Sequence, residues 1–134
     1  MLRTVHLFVS PNDPDCKEVR SFLEDQEVRL NIHDIDKQPL NLDEITRLMR
    51  HFNLKHLLNA RAKGFAKNKL DDALPPREEV FQMMAEDNDL IKKPIIVAGR
   101  LMVIGANIAK IKEMLQLDTN GNGNGNGNGS SKRG

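Results

Sequence analysis

The sequence predicts a single α/β domain in which a β-α-β unit and a β-β-α unit flank a helical section. Three observations carry that reading. Two β-rich runs near the start enclose a stretch of helical periodicity, a middle section carries only helix signals, and two short apolar runs separated by Gly99-Arg100 precede a final amphipathic stretch. The 134 residues, 39% hydrophobic and 29% charged, are enough for one ordinary domain. A formal net charge of +1, no Trp or Tyr, and no dense basic run before the last few residues argue against direct nucleic-acid binding. No run approaches the ~20 apolar residues of a membrane span, and Met1 to Thr4 do not open a signal peptide, so the expected compartment is the cytoplasm. With one cysteine, Cys16, any redox chemistry needs a partner thiol.

Thr4 to Ser10 is β-rich and stops at Pro11, which predicts a buried first strand. Asp13-Pro14 reads as an N-cap followed by proline at the first helical position, opening a helix to about Glu27 with Cys16, Val19, Phe22 and Leu23 on its inner face. Arg29 to Ile35 alternates with period two and predicts the second strand. Asn41 with Glu44 three residues on forms a capping box before the stripe Leu42, Ile45, Leu48, Met49 and Phe52. Further helical pattern covers Leu54 to Ala60, Pro76 to Glu86 and Asp89 to Lys92. Pro94 to Ala98 and Leu101 to Ile104 predict a hairpin, and Asn107 caps a last helix with Ile108, Ile111 and Leu115 inward. The predicted domain spans 1–118, with its helical insertion at about 41–92. Residues 119–134, Thr119 and then five Asn-Gly pairs followed by Ser-Ser-Lys-Arg-Gly, have nothing apolar to bury and predict a disordered tail.

The order β-α-β then β-β-α resembles thioredoxin, with a helical section inserted between the halves. Three segments narrow the likeness: Ser10-Pro11 to Arg20, Gln38-Pro39-Leu40-Asn41-Leu42-Asp43-Glu44-Ile45, and Lys93-Pro94-Ile95-Ile96-Val97 to Gly105. On these the chain resembles the arsenate reductase/Spx family of thioredoxin-fold proteins over roughly residues 4–117. In that family a reactive cysteine opens the first helix. An ungapped register puts Asp13 at the first, nucleophilic position and Cys16 at the second, resolving one. A second register reads Pro14-Asp15-Cys16 as the family's Pro-x-Cys, with Arg20 four residues on, but needs about one inserted turn. The ungapped register is preferred.

Near a helix N-terminus, Cys16 would feel a field that lowers a thiol pKa, aided by Lys17 and Arg20. Asp13, Asp15, Glu18 and the apolar face shared with Val19 and Phe22 act the other way. Two readings follow: a buried, inert cysteine, or a catalytic single thiol forming mixed disulfides with glutathione or a protein. The resemblance implies an active-site loop containing Asp13, Pro14, Arg20 and a cis Pro94, and an anion-binding pair, Arg61 and Lys93. A third family arginine is missing, since Gly105 is followed by Ala106, and solvated surface charge is the plain alternative for Arg61 and Lys93. His6, His33, His51 and His56 show no ligand-like spacing, so no metal is expected. Met83-Met84 and the phenylalanines read as core.

Two functions follow from the resemblance. The first is an arsenate reductase or glutaredoxin-like thiol oxidoreductase, with no tightly bound cofactor and glutathione or another small thiol as co-substrate. The second is an Spx-like regulatory module that binds a protein, such as the RNA polymerase α subunit, without redox catalysis.

Overall fold

The computed structural model describes residues 2–122, with side chains through Leu117. Strand β1 (Arg3–Val9) leads to helix α1 (Pro14–Glu24), strand β2 (Val28–Asp34), and a run of short helices: α2 (Leu42–Met49), α3 (Leu54–Leu57), α4 (Lys63–Lys67) and α5 (Arg77–Glu86). A 3₁₀ turn (Asn88–Leu90) precedes strands β3 (Ile95–Ala98) and β4 (Leu101–Ile104) and helix α6 (Ile108–Asn122). The four strands form one mixed sheet in the order β2-β1-β3-β4. β1 and β2 are parallel, joined by α1, while β3 runs antiparallel to both β1 and β4. This is the predicted thioredoxin-like α/β arrangement with a helical insertion.

Alternation along each strand divides the core between the two faces of the sheet. Val5, Leu7 and Val9 of β1, with Ile96 and Ala98 of β3, pack with Val19 and Leu23 of α1 and Ile111 and Met114 of α6. The other cluster joins Ile95 and Phe8 to the insertion through Ile35, Ile45, Met49, Leu57, Met84 and Leu90. The insertion is thereby part of the fold's core. It is also pinned by the backbone: the Asn59 N–H donates to the Leu90 carbonyl at 2.8 Å and the Lys92 N–H to the Leu57 carbonyl at 2.7 Å.

Several expectations need adjustment. Helix α1 stops at Glu24, three residues before Glu27, because the Asp25 and Gln26 amides turn back onto the Phe22 and Leu23 carbonyls and Val28 already pairs with Arg3. Helix α2 ends at Met49, so Phe52 lies beyond it, and Leu42 is 40% exposed rather than on the buried stripe. The pattern over Leu54 to Ala60 contracts to one turn, and that near Asp89 to Lys92 to a 3₁₀ turn. Helix α4 carried no sequence signal, lying in a lysine-rich segment around Gly64. Helix α6 is described through Asn122, and the rest of the predicted tail, 123–134, lies outside the described residues. No helix among the described residues is long and apolar enough to cross a membrane.

Candidate functional site

The start of α1 is built as the sequence predicts. Asp13 has extended backbone, and its side chain accepts from the Asp15 N–H at 2.9 Å, while Pro14 takes the first helical position. The loop before it is tied by the Asp13 N–H to the Ser10 carbonyl and by the Ser10 hydroxyl to the Asp36 carboxylate at 2.8 Å.

Two further segments meet this helix start. One is the chain after α3, carrying Asn59 and Arg61. The other is the segment before β3, where the Lys93-Pro94 bond is cis and the Pro94 carbonyl accepts from the Gly105 N–H at 2.8 Å. Together they enclose a cleft of about 500 Å³ whose charged lining is Asp13, Asp15, Lys55, Arg61, Lys92 and Lys93. Four cations against two carboxylates make it electropositive. Lys93 is the most buried of the cations, its side chain 7% exposed, with its ammonium 3.8 Å from the outward-facing Asp89. Arg61 is largely in solvent, 3.9 Å from Asp15. An adjoining cleft of about 440 Å³ shares Lys55, Leu58 and Ala60 and adds the apolar side chains of Phe65, Leu70 and Leu74 together with the carboxylates of Asp71 and Asp72.

Cys16 sits behind this cleft rather than in it. It is 1% exposed, on the inner face of α1 among Val5, Leu7 and Val19. Burial pushes its thiol up to about 12, and Asp13 pushes the same way, by its charge and by accepting the thiol's hydrogen bond. A backbone hydrogen bond from Ser10 and the Lys93 charge oppose them without prevailing. At neutral pH the sulfur is a protonated, shielded thiol. Of the residues singled out from the sequence, the structure gathers Asp13, Arg61 and Lys93 around one cleft, with Cys16 and the buried Pro94 beneath. Pro14 is exposed at the helix start, and Arg20 pairs with Glu24 at 3.2 Å on the outer face of α1, away from the cleft lining.

The sheet assembles a second group that no sequence spacing revealed. His6 of β1 and His33 of β2 meet, Nδ1 to Nε2, at 3.0 Å, and the Phe8 ring stacks on His33 with centroids 4.4 Å apart. Burial and the neighbouring His6 hold the His33 imidazole below its usual pKa, against the pull of Glu44. The signal that could have found the pair is the parallel register, which sets Phe8 opposite His33 and His6 two residues away on the same face.

Comparison with known proteins agrees with this architecture. The family model described as "ArsC family" matches residues 8–114. The global transcriptional regulator Spx of Listeria innocua serovar 6a is 27% identical over 113 residues, covering 83% of this chain and 86% of the relative. Spx of Bacillus subtilis (strain 168) is 26% identical with the same coverage. The solved structure of an arsenate reductase from Vibrio cholerae superposes with a TM-score of 0.76 at 19% identity, covering 84% of this chain and 98% of that one, a likeness of fold.

Proposed function

The chain belongs to the ArsC family, and within that family we propose that it is a regulatory, protein-binding member whose former thiol site has become part of the scaffold. The observation that carries this reading is the state of Cys16. A nucleophilic thiol needs a thiolate fraction and access, and here the sulfur is 1% exposed with its pKa pushed up to about 12. Asp13, at the position the ungapped register assigns to the nucleophile, caps the helix and keeps the Cys16 proton in place. A carboxylate there forms no mixed disulfide.

The cleft supports binding in place of catalysis. Lys55, Lys92, Lys93 and Arg61 offer positive charge in the first cleft, and Leu58, Phe65, Leu70 and Leu74 offer apolar surface in the second, beside the Asp71 and Asp72 carboxylates. That combination suits a protein segment with acidic and large apolar side chains, the charge steering encounter and the apolar contacts holding the complex. The Spx relatives are transcriptional regulators by name, and the partner that the sequence resemblance implies, the RNA polymerase α subunit, is the first to test.

The test is co-elution of the full chain with purified α subunit at tens of micromolar, a concentration at which binding of about −6 to −7 kcal/mol is visible. Wild type and Cys16→Ala are expected to bind alike, and Lys93→Gln more weakly. Absence of a complex with wild type removes the α subunit as partner. Binding that Cys16→Ala abolishes while remaining folded returns the thiol to the centre of the function.

A further inference from the structure

We propose that His6 and His33 form a bidentate site for one divalent transition-metal ion of the kind that imidazole favours, Zn²⁺, Ni²⁺ or Cu²⁺, on the sheet face opposite α1. His6 lies between Val5 and Leu7, whose side chains enter the cluster with α1 and α6, so alternation sends its ring to the other face. On the parallel neighbour the same holds for His33, between Ile32 and Asp34, since Ile32 joins that cluster. The two rings thus stand side by side on adjacent strands, with His33 backed by the Phe8 ring at an interplanar angle of 14°.

The dimensions suit chelation. Two metal–nitrogen bonds of about 2.0–2.1 Å at a tetrahedral angle place their nitrogens about 3.3 Å apart. The observed separation of His6 Nδ1 and His33 Nε2 is 3.0 Å, with ring centroids 5.2 Å apart. Chelation requires each ring to tilt from its hydrogen-bonded orientation so that the two lone pairs converge on a shared point. In the free protein one imidazole donates its N–H to the other. On binding, the donor ring moves that proton to its other nitrogen, so both facing nitrogens become ligands and no proton is released.

Both histidines are half-buried, and His33 also lines a solvent-open cleft of about 310 Å³, which gives an ion a path in. No third His, Cys, Asp or Glu converges on them among the described residues, so water completes the coordination sphere. Imidazole ligands without a carboxylate favour the later first-row ions over Mg²⁺ and Ca²⁺.

The test is a calorimetric titration of the metal-free full chain with Zn²⁺ alone at about pH 7.5, where unperturbed imidazoles are neutral, alongside NMR of the four imidazole rings. One Zn²⁺ per chain is expected, with the His6 and His33 ring signals shifting together while those of His51 and His56 stay in place. His6→Gln and His33→Gln should each weaken binding about tenfold or more, and the double variant His51→Gln/His56→Gln should match wild type. The proposal is overturned by the absence of saturable binding, by one ion per two chains, or by movement of the His51 or His56 signals in place of the pair. The ring shifts are read on the wild type, so a poorly folded variant does not blunt the test.

Discussion

At Cys16 two influences of opposite sign meet, the field of a helix start and the desolvation of a packed core, and the core prevails. The consequence is a stability that depends on pH in a defined direction. The folded thiol holds its proton to about 12, whereas an unfolded thiol releases it near about 8.5. Between those values the native state binds more protons than the unfolded state, so stability falls as pH rises. Below that window the thiol adds nothing to the pH dependence. Relative to Cys16→Ala, wild type should lose about 2 kcal/mol between about pH 8.5 and 10.5, read by urea unfolding of both. A constant difference would deny the burial assigned to this sulfur. Asp13 offers a second residue-scale test, because its carboxylate accepts from the Cys16 thiol. Asp13→Cys should close an intramolecular disulfide under oxidised glutathione, with both thiols lost to titration, whereas two persistently free thiols would contradict the register that aligns Asp13 with the family's first cysteine.

Among the elements, those with strong local punctuation were legible in the sequence and those stabilised from a distance were not. Asn41 and Glu44 form the predicted capping box, with the Glu44 N–H donating to Asn41 at 2.9 Å and the Asn41 N–H to Glu44 at 3.1 Å. Asn41→Ala should therefore cost about 1 kcal/mol in urea unfolding, and no loss would mean that tertiary packing alone holds α2. The β3-β4 hairpin was legible from Gly99, which has φ 61° at the turn between Ala98 and Leu101. Helix α4 was not, since it owes its place to Gly64, where a Cβ would come within 2.7 Å of Asp87 and 3.3 Å of Leu90. Gly105 matters for the cleft itself. Its φ of +96° disfavours a side chain, a Cβ would stand 3.2 Å from Lys92, and its N–H holds the Pro94 carbonyl. Gly105→Ala should destabilise the chain by about 1–2 kcal/mol, checked by the unfolding midpoint; an unchanged midpoint would show that the loop relaxes freely.

Over the whole molecule, the sheet carries a core on each face, and the helical insertion supplies both the second core and one wall of the cleft. Strand and helix order could be read from apolar periodicity because each half of the fold is locally patterned. The site could be read only in part. Asp13, Arg61 and Lys93 were placed by their position in recognisable segments, but the depth of Cys16 is set by Val5, Leu7, Ile111 and Met114, which come from both ends of the chain. The meeting of His6 and His33 depends on register across 27 residues, which one-dimensional spacing does not encode. The fold retains the family's scaffold, and burial shields its one thiol. The rate of Cys16 alkylation against pH, followed by intact mass in native and unfolded protein, tests that most directly. Reaction is expected in the unfolded chain with an ordinary midpoint of about 8.5, and in the native protein only as fast as it opens. Rapid alkylation of the native protein with a midpoint below that value would contradict that shielding and restore a thiol reductase.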